Sequence, residues 1–119
     1  MSEPQYTALV TGGSAGIGAD ICQRMLQDGW HVISLARRAP EWTHARLTAI
    51  NVDLLDAAAT AQAAREVAQR FEVTHFIHNA GVIWPHLLQD ATIDELQGLT
   101  QIHLGSALTL MQHVLPAME

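Results

Sequence analysis

The chain has 119 residues, of which 49% are hydrophobic and 15% charged, with one cysteine and a mean hydropathy of +0.12. This composition is typical of one globular domain and excludes a disordered, collagen-like or disulfide-stapled chain. Twelve acidic against six basic residues give a formal net charge of −6. That sign opposes binding to nucleic acid or an anionic membrane, so neither is expected as a partner. Without a signal-peptide pattern or a long apolar span, the sequence predicts a soluble cytoplasmic protein.

Short apolar runs alternate with a helical pattern at the start of the chain. Residues 6–10 form an apolar run that enters a glycine turn, which predicts a buried strand. Apolar residues then recur at helical spacing over residues 17–26, and Asp28 and Gly29 supply a helix stop. A second strand is expected at residues 31–35.

The next segments continue the alternation of strands and helices. Residues 39–46 are too few for a crossover helix, so a loop or one helical turn is expected to lead into a third strand at residues 47–52. A fourth strand is predicted at residues 74–78. Between these strands, residues 56–71 predict a helix with one apolar stripe, formed by Ala57, Ala61, Ala64, Ala68 and Phe71.

The last predicted element is a long helix over residues 94–118. Its apolar positions form two stripes, so the helix needs a second partner besides the sheet. The first stripe consists of Leu96, Leu99, His103, Ala107, Leu110 and Val114, and the second of Leu104, Leu108, Met111 and Leu115.

The order of the elements is that of a parallel, doubly wound α/β sheet with right-handed crossovers. It fits the first half of a Rossmann-type domain over residues 1–119, with about four strands and flanking helices. Such sheets bind ligands at the carboxyl ends of the strands, beside the point where the strand order reverses. Here that point is expected between the first and fourth strands.

A glycine-rich motif follows the first predicted strand, where residues 11–18 read Thr-Gly-Gly-Ser-Ala-Gly-Ile-Gly. Gly12 would allow the tight turn, Gly16 a close approach of the backbone to a pyrophosphate, and Gly18 close packing of helix on strand. The helix N-terminus would offer N–H groups to the anion. The alternative is a plain glycine-rich turn.

The T-G-x-x-x-G-x-G spacing of this motif resembles that of the short-chain dehydrogenase/reductase family. Residues 78–81, His-Asn-Ala-Gly, are similar to that family's N-N-A-G with the first Asn replaced. Asp53, just after the third strand, matches the acidic residue that contacts adenine in the family. The resemblance implies a dinucleotide site formed by Gly12, Ser14, Gly16, Ile17, Gly18, Asp53, Leu54, Asn79, Ala80 and Gly81.

The choice between NAD and NADP is expected at the end of the second strand. No acidic residue stands there to bind a ribose 2′-OH. Arg37 falls where NADP enzymes of the family carry arginine, and Arg38 adds a second guanidinium that suits a 2′-phosphate. Ala15, where such enzymes often carry a basic residue, speaks against this, and the alternative is a solvated surface pair. NADP is therefore expected over NAD.

The resemblance implies general acid catalysis by a tyrosine beside a lysine, with a serine and a relay asparagine. The sequence contains no lysine, and its only tyrosine, Tyr6, lies in the first strand. We therefore expect the chain to be truncated before the catalytic Ser and Tyr-x-x-x-Lys segment and to be inactive alone. His103 takes the position of the asparagine. It is a candidate catalytic relay residue, a histidine satisfied inside the helix, or a mark of lost function.

The leading prediction is an NADP-dependent oxidoreductase of the short-chain type that reduces a small-molecule carbonyl or oxidises an alcohol. The alternative is a non-catalytic dinucleotide-binding or interaction fragment that needs a partner chain. A degenerate regulator is a third, weaker possibility. The helix over residues 94–118 resembles the one through which family members associate, which predicts a homo-oligomer.

The remaining reactive residue types point to no further chemistry. His75 and His78 lie three apart on one strand and point to opposite faces, so no metal site is expected. Cys22 is expected to be a small core residue. Trp84 and His86, just past Gly81, are expected beside the mouth of the substrate site, although Trp84 equally suits a packing role.

Overall fold

The computed structural model describes residues 6–81 and 88–118, which form one parallel sheet with helices on both faces. The predicted doubly wound α/β half-domain is therefore confirmed. The strands are β1 (Thr7–Thr11), β2 (His31–Ala36), β3 (Leu47–Asn51) and β4 (His75–His78), in the order β3-β2-β1-β4. The helices are α1 (Gly16–Gln27), α2 (Ala57–Arg70), α3 (Ile93–Thr100) and α4 (Ser106–Met118).

The strand order reverses between β1 and β4, where the sequence predicts it. Both neighbours of β1 run parallel to it, and Thr11 at its carboxyl end pairs with Leu35 of β2 and His78 of β4. Because the strands are parallel, the loops that follow β1, β2 and β4 meet at one edge of the sheet. The loop of residues 37–46 connects β2 to β3 without a helix, also as predicted.

The core consists of two layers separated by the sheet. The layer on the α1 side is the smaller one and contains Ala8, Val10, Cys22, Leu26 and Val32. The layer on the α2 and α4 side is larger and includes Leu9, Ile33, Leu35, Val67, Leu110 and Val114. Side chains alternate along β1 and β2 into both layers, so these strands read as continuous apolar runs.

Helix α1 ends in a Schellman motif, which confirms the stop predicted at Asp28 and Gly29. The Gly29 N–H donates to the Leu26 carbonyl and the Trp30 N–H to the Met25 carbonyl. Gly29 has a φ of 90°, a left-handed conformation that glycine adopts without steric cost.

Helix α2 buries a different stripe from the one predicted. Ala57 and Ala68 are exposed, and the buried residues are Thr60, Ala63, Ala64 and Val67. Thr60 is polar, so an apolar pattern does not include it. Its hydroxyl donates to the Asp56 carbonyl at 2.8 Å, which allows the side chain to be buried. The predicted stripe is wrong because the apolar pattern ignores this satisfied hydroxyl.

The helix predicted over residues 94–118 is present, but it is not α-helical throughout. A π-helical segment, Gln101–Gly105, separates α3 from α4, and we call it the π-turn. The Ser106 N–H bonds to the Gln101 carbonyl, five residues back instead of four. The buried face begins at Ile102 and continues through Ser106, Leu110 and Val114, whereas Leu96 and His103 of the predicted first stripe are exposed.

The second predicted stripe of this helix faces away from the sheet. Leu104, Leu108, Met111 and Leu115 are each between 45% and 68% exposed. In residues 6–81 and 88–118, none of the helices has the length and apolar character that a membrane span requires.

Candidate functional site

A crevice of about 460 Å³ opens at the carboxyl edge of the sheet, where the strand order reverses. It collects every residue predicted to bind the cofactor except Gly16, Ile17 and Gly18. Its lining comprises Gly12, Ser14, Ala15, Arg37, Arg38, Val52, Asp53, Leu54, Leu55, Asn79, Ala80, Gly81 and Ile102.

The glycine turn between β1 and α1 forms one wall of the crevice. Gly12 and Gly16 have φ values of 71° and 58°, which favour glycine. A Cβ on Gly18 would clash with the carbonyl oxygen of Gly12, so the absence of a side chain lets the helix approach the turn. Ala15 caps α1 without a side-chain acceptor, which leaves the first helical N–H groups to the crevice.

A buried hydroxyl fastens the loop after β4 to the end of β1. Thr11 Oγ1 accepts the N–H groups of Asn79 and Ala80, both at 3.0 Å, and lies 2.8 Å from Nδ1 of His78. The side-chain amide of Asn79 donates in turn to the Gly12 carbonyl at 3.3 Å. The two loops therefore form one wall, in which the backbone groups are fixed by hydrogen bonds and not by bulky side chains.

Opposite charges lie along the far side of the crevice. Arg37 and Arg38 follow β2 and are exposed, and in the part of the chain that the structure describes neither forms an ion pair. Asp53, after β3, accepts the Leu55 N–H at 3.0 Å. Two guanidinium groups are thus available to an anion at one end of the crevice, and a carboxylate lies nearby.

His103 lies on the π-turn, beside the loop after β4. It is exposed, so it is not a histidine buried in the helix interior. A Cβ on Gly81 would clash with Cε1 of the His103 ring, which shows that the imidazole packs against this glycine. The Gln101 amide donates to the Leu54 carbonyl at 3.2 Å and anchors the π-turn to the opposite wall.

Two residues singled out in the sequence lie away from the crevice lining. The Ile17 side chain is 72% exposed and lines a separate groove on the outer surface of α1, next to Ile21 and Trp30. Cys22 is fully buried in the core, as predicted, and burial raises the pKa of its thiol to about 11. The thiol is therefore protonated and unreactive at neutral pH.

The histidines form no metal centre in the described ranges. His75 packs against the rings of Tyr6 and Trp30, whereas His78 bonds to Thr11. Within residues 6–81 and 88–118, no three His, Cys, Asp or Glu side chains are grouped to hold a metal ion. Trp84 and His86 lie outside the described residues.

Sequence reasoning missed three contributors to the site. Thr11 is the first residue of the glycine motif, and nothing in the sequence shows that its hydroxyl joins the two loops. In the sequence His78 is only a departure from a family motif, and no sequence signal singles out Ile102. The available signal is a polar residue at the last position of a strand, as at Thr11 and His78, because a polar group that becomes buried there needs a partner.

Comparisons with known proteins agree with this geometry. The family model described as short chain dehydrogenase matches residues 6–119. A 3-oxoacyl-acyl-carrier-protein reductase of rhamnolipid biosynthesis from Pseudomonas aeruginosa is 34% identical over 123 residues, which cover 94% of this chain and 47% of that protein. A probable NADP-dependent dehydrogenase from Haemophilus influenzae is 31% identical over 122 residues, which cover 94% of this chain and 48% of that one.

A solved structure extends the likeness to three dimensions. The crystal structure of a short-chain dehydrogenase from Streptomyces avermitilis matches with a TM-score of 0.85 at 30% identity, over 99% of this chain and 46% of that one. The chain thus spans about half the length of the relatives it matches.

Proposed function

This chain belongs to the short-chain dehydrogenase family, and we propose that it is the cofactor-binding half of an NADP-dependent oxidoreductase that interconverts a small-molecule carbonyl and an alcohol. The observation that carries the proposal is the crevice in which the glycine turn, Arg37 and Asp53 meet. The family match supports the class of chemistry, and the likeness to a probable NADP-dependent dehydrogenase supports the cofactor.

The residues of the crevice fit a dinucleotide with a 2′-phosphate. The glycine turn and the uncapped start of α1 would hold the pyrophosphate, since both offer backbone N–H groups without side-chain obstruction. Asp53 and Leu54 would border the adenine. Arg37 and Arg38 would bind the 2′-phosphate through paired guanidinium donors. When bound, the cofactor supplies the hydride, and the chain orients it.

The preference for NADPH is tested by reversing the charge of Arg37. We expect Arg37→Glu to weaken NADPH binding by about 10- to 100-fold, or about 1.4–2.8 kcal/mol, because an attractive phosphate contact becomes repulsive. NADH binding should change by less than about threefold, since NADH lacks that phosphate. Titration of both nucleotides by fluorescence or calorimetry measures the two dissociation constants.

Arg65→Glu is the matched control, because Arg65 is an exposed arginine of α2 that lies outside the crevice. It makes the same charge change and should leave both nucleotide affinities unaltered. Equal weakening of NADPH and NADH by Arg37→Glu would remove Arg37 from the 2′-phosphate.

For His103 we propose the role of relay residue in the catalytic half-site. A neutral imidazole carries one donor and one acceptor, so it can pass a proton where an asparagine would hold water or backbone. Its contact with Gly81, in the loop after β4, supports this role. The role requires a catalytic acid, which residues 1–119 do not supply, since their only tyrosine, Tyr6, is in the aromatic cluster at the other end of the sheet.

The second candidate function is a dinucleotide-binding or interaction fragment that catalyses nothing without a partner chain. The lack of lysine in the sequence favours it over a self-sufficient enzyme. Turnover of NADPH by residues 1–119 alone would exclude it. Both candidate functions are proposed for the cytoplasm, where the thiol of Cys22 remains reduced.

The exposed stripe of the π-turn and α4 supports a homo-oligomer. Leu104, Leu108, Met111 and Leu115 present a row of apolar side chains that a second copy would cover. We expect Leu108→Glu to lower the mass measured by sedimentation equilibrium to that of a monomer, because two copies would bring buried charges together. Gln112→Glu, an exposed neighbour in α4, is the control and should leave the assembly intact. A monomeric wild type at high concentration would contradict the proposed interface.

A further inference from the structure

His78 is the one residue of the loop motif at the end of β4 that departs from its family, and its hydrogen bonds define its chemical form. Nε2 lies 3.0 Å from the Ile102 carbonyl oxygen and Nδ1 lies 2.8 Å from Thr11 Oγ1. A carbonyl oxygen can only accept, so Nε2 must carry the hydrogen.

The Thr11 hydroxyl determines the state of the other ring nitrogen. Its oxygen already accepts the N–H groups of Asn79 and Ala80, which occupy its two lone pairs. The single hydroxyl hydrogen is therefore left to donate to Nδ1 of His78. Both nitrogens are satisfied only in the neutral ring that bears its hydrogen on Nε2.

The acceptor of this ring is a carbonyl within the π-turn. Helical geometry there is altered, because the Ser106 N–H goes to Gln101 and not to Ile102. The Ile102 carbonyl receives two side-chain donors instead, Nε2 of His78 at 3.0 Å and the Ser106 hydroxyl at 2.6 Å. Two side-chain donors thus converge on this carbonyl, whose α-helical donor, the Ser106 N–H, bonds to Gln101.

The link joins two parts of the site that are far apart in the sequence. His78 ends β4 beside the glycine turn, and the residue after Ile102 is His103. The Gln101 amide holds the other side of the π-turn to the Leu54 carbonyl. Two hydrogen bonds therefore hold the backbone that carries His103, one from the end of β4 and one to the loop after β3.

We infer that His78 is a positioning residue: through its Nε2–H bond to the Ile102 carbonyl it fixes the π-turn against β4 and thereby sets the place of His103 beside Gly81. The assignment of His78 stands on geometry alone, and only its consequence for turnover rests on the proposed function. A displaced His103 would lower the rate without altering the glycine turn or the arginines, because neither contacts the π-turn through this ring.

Two substitutions of His78 each keep one hydrogen bond of the ring and remove the other. An asparagine amide reaches about as far as Nδ1, so His78→Asn keeps a partner for Thr11 and loses the bond to Ile102. A glutamine amide reaches about as far as Nε2, so His78→Gln offers a donor to Ile102 and loses Thr11. His75→Asn is the matched control, because His75 begins the same strand and lies outside this network.

The direct test is carried out on the protein at its natural length by NMR. Nitrogen-15 shifts should identify His78 as the neutral tautomer with hydrogen on Nε2. Amide hydrogen exchange of residues 102–105 should accelerate by about tenfold or more in His78→Asn, with β1 and β2 unaffected and partial recovery in His78→Gln. A hydrogen on Nδ1, unchanged exchange, or acceleration spread evenly over the sheet would each overturn the inference.

The kinetic readout separates this inference from the proposed function. In His78→Asn, kcat should fall by about 10- to 100-fold while the dissociation constant for NADPH stays within about twofold. A loss of NADPH affinity as large as the loss of kcat would overturn the positioning role. Failure of the wild type to bind NADPH would instead overturn the proposed function, and the exchange result would still decide the role of His78.

Discussion

The two ends of the sheet are held together in different ways. At the carboxyl end, the hydroxyl of Thr11 is fully buried and joins the loop after β4 to β1 by hydrogen bonds. At the amino end, the rings of Tyr6, Trp30 and His75 pack against one another with centroids 4.6–5.4 Å apart. The carboxyl end is held by hydrogen bonds through a buried side chain, whereas at the amino end contact between rings adds to the hydrogen bonds of Thr74 with Thr7.

The difference follows from what each end must leave open. Hydrogen bonds through a small buried side chain fix the loops without filling the space beside them, so a crevice of about 460 Å³ persists there. Rings fill space and stabilise the strand ends by burial and aromatic contact. We therefore propose that the carboxyl end binds the ligand, and that the rings at the amino end contribute to stability without affecting binding, and experiment can test this division.

The largest effect is expected from a methyl group in the glycine turn. Gly18→Ala places a Cβ against the Gly12 carbonyl oxygen, and backbone cannot yield as a flexible side chain would. We expect a loss of about 3 kcal/mol in the free energy of unfolding, measured by urea denaturation, together with loss of detectable NADPH binding.

Gly29→Ala is the control for this substitution. Gly29 has a φ of 90°, a Cβ added to it would meet no atom within 4 Å, and it lies just past the C-terminal end of α1. Backbone strain should cost about 1–2 kcal/mol there and leave the affinity for NADPH unchanged. If Gly29→Ala impaired binding as strongly as Gly18→Ala, general destabilisation would explain both, and the division between the two ends would fail.

The parts of the fold that sequence could predict are those with local signals. Strands β1 and β2 are apolar runs because both faces are buried, and the glycine turn carries its own spacing. Because the strands are parallel, their carboxyl ends lie at one edge of the sheet, so the residues that line the crevice could be predicted from the sequence. Asp53 and Asn79 are found there for that reason.

The parts that sequence could not predict depend on distant partners. At the π-turn, His78 bonds to the Ile102 carbonyl across 24 residues of sequence, and Gln101 bonds to the Leu54 carbonyl across 47 residues. The composition of the helix gives no sign of either bond. The stripe of α2 is an exception with a local cause: Thr60 is buried with its hydroxyl bonded to a carbonyl within its own helix turn. A search for apolar patterns does not identify polar residues that are buried because they have hydrogen-bond partners inside the fold.

The smaller expected effect comes from the amino end. Trp30→Ala removes the ring that contacts both Tyr6 and His75, so we expect the free energy of unfolding to fall by about 2 kcal/mol, a value reduced from that of a fully buried tryptophan because Trp30 is half-buried. The dissociation constant for NADPH should stay within about twofold, because no atom of this cluster lines the crevice. Trp30→Phe, which keeps a ring, should recover most of the stability. A loss of NADPH affinity in Trp30→Ala at temperatures where the protein remains folded would mean that the two ends of the sheet are coupled, and that the rings at the amino end also set the geometry of the loops at the other.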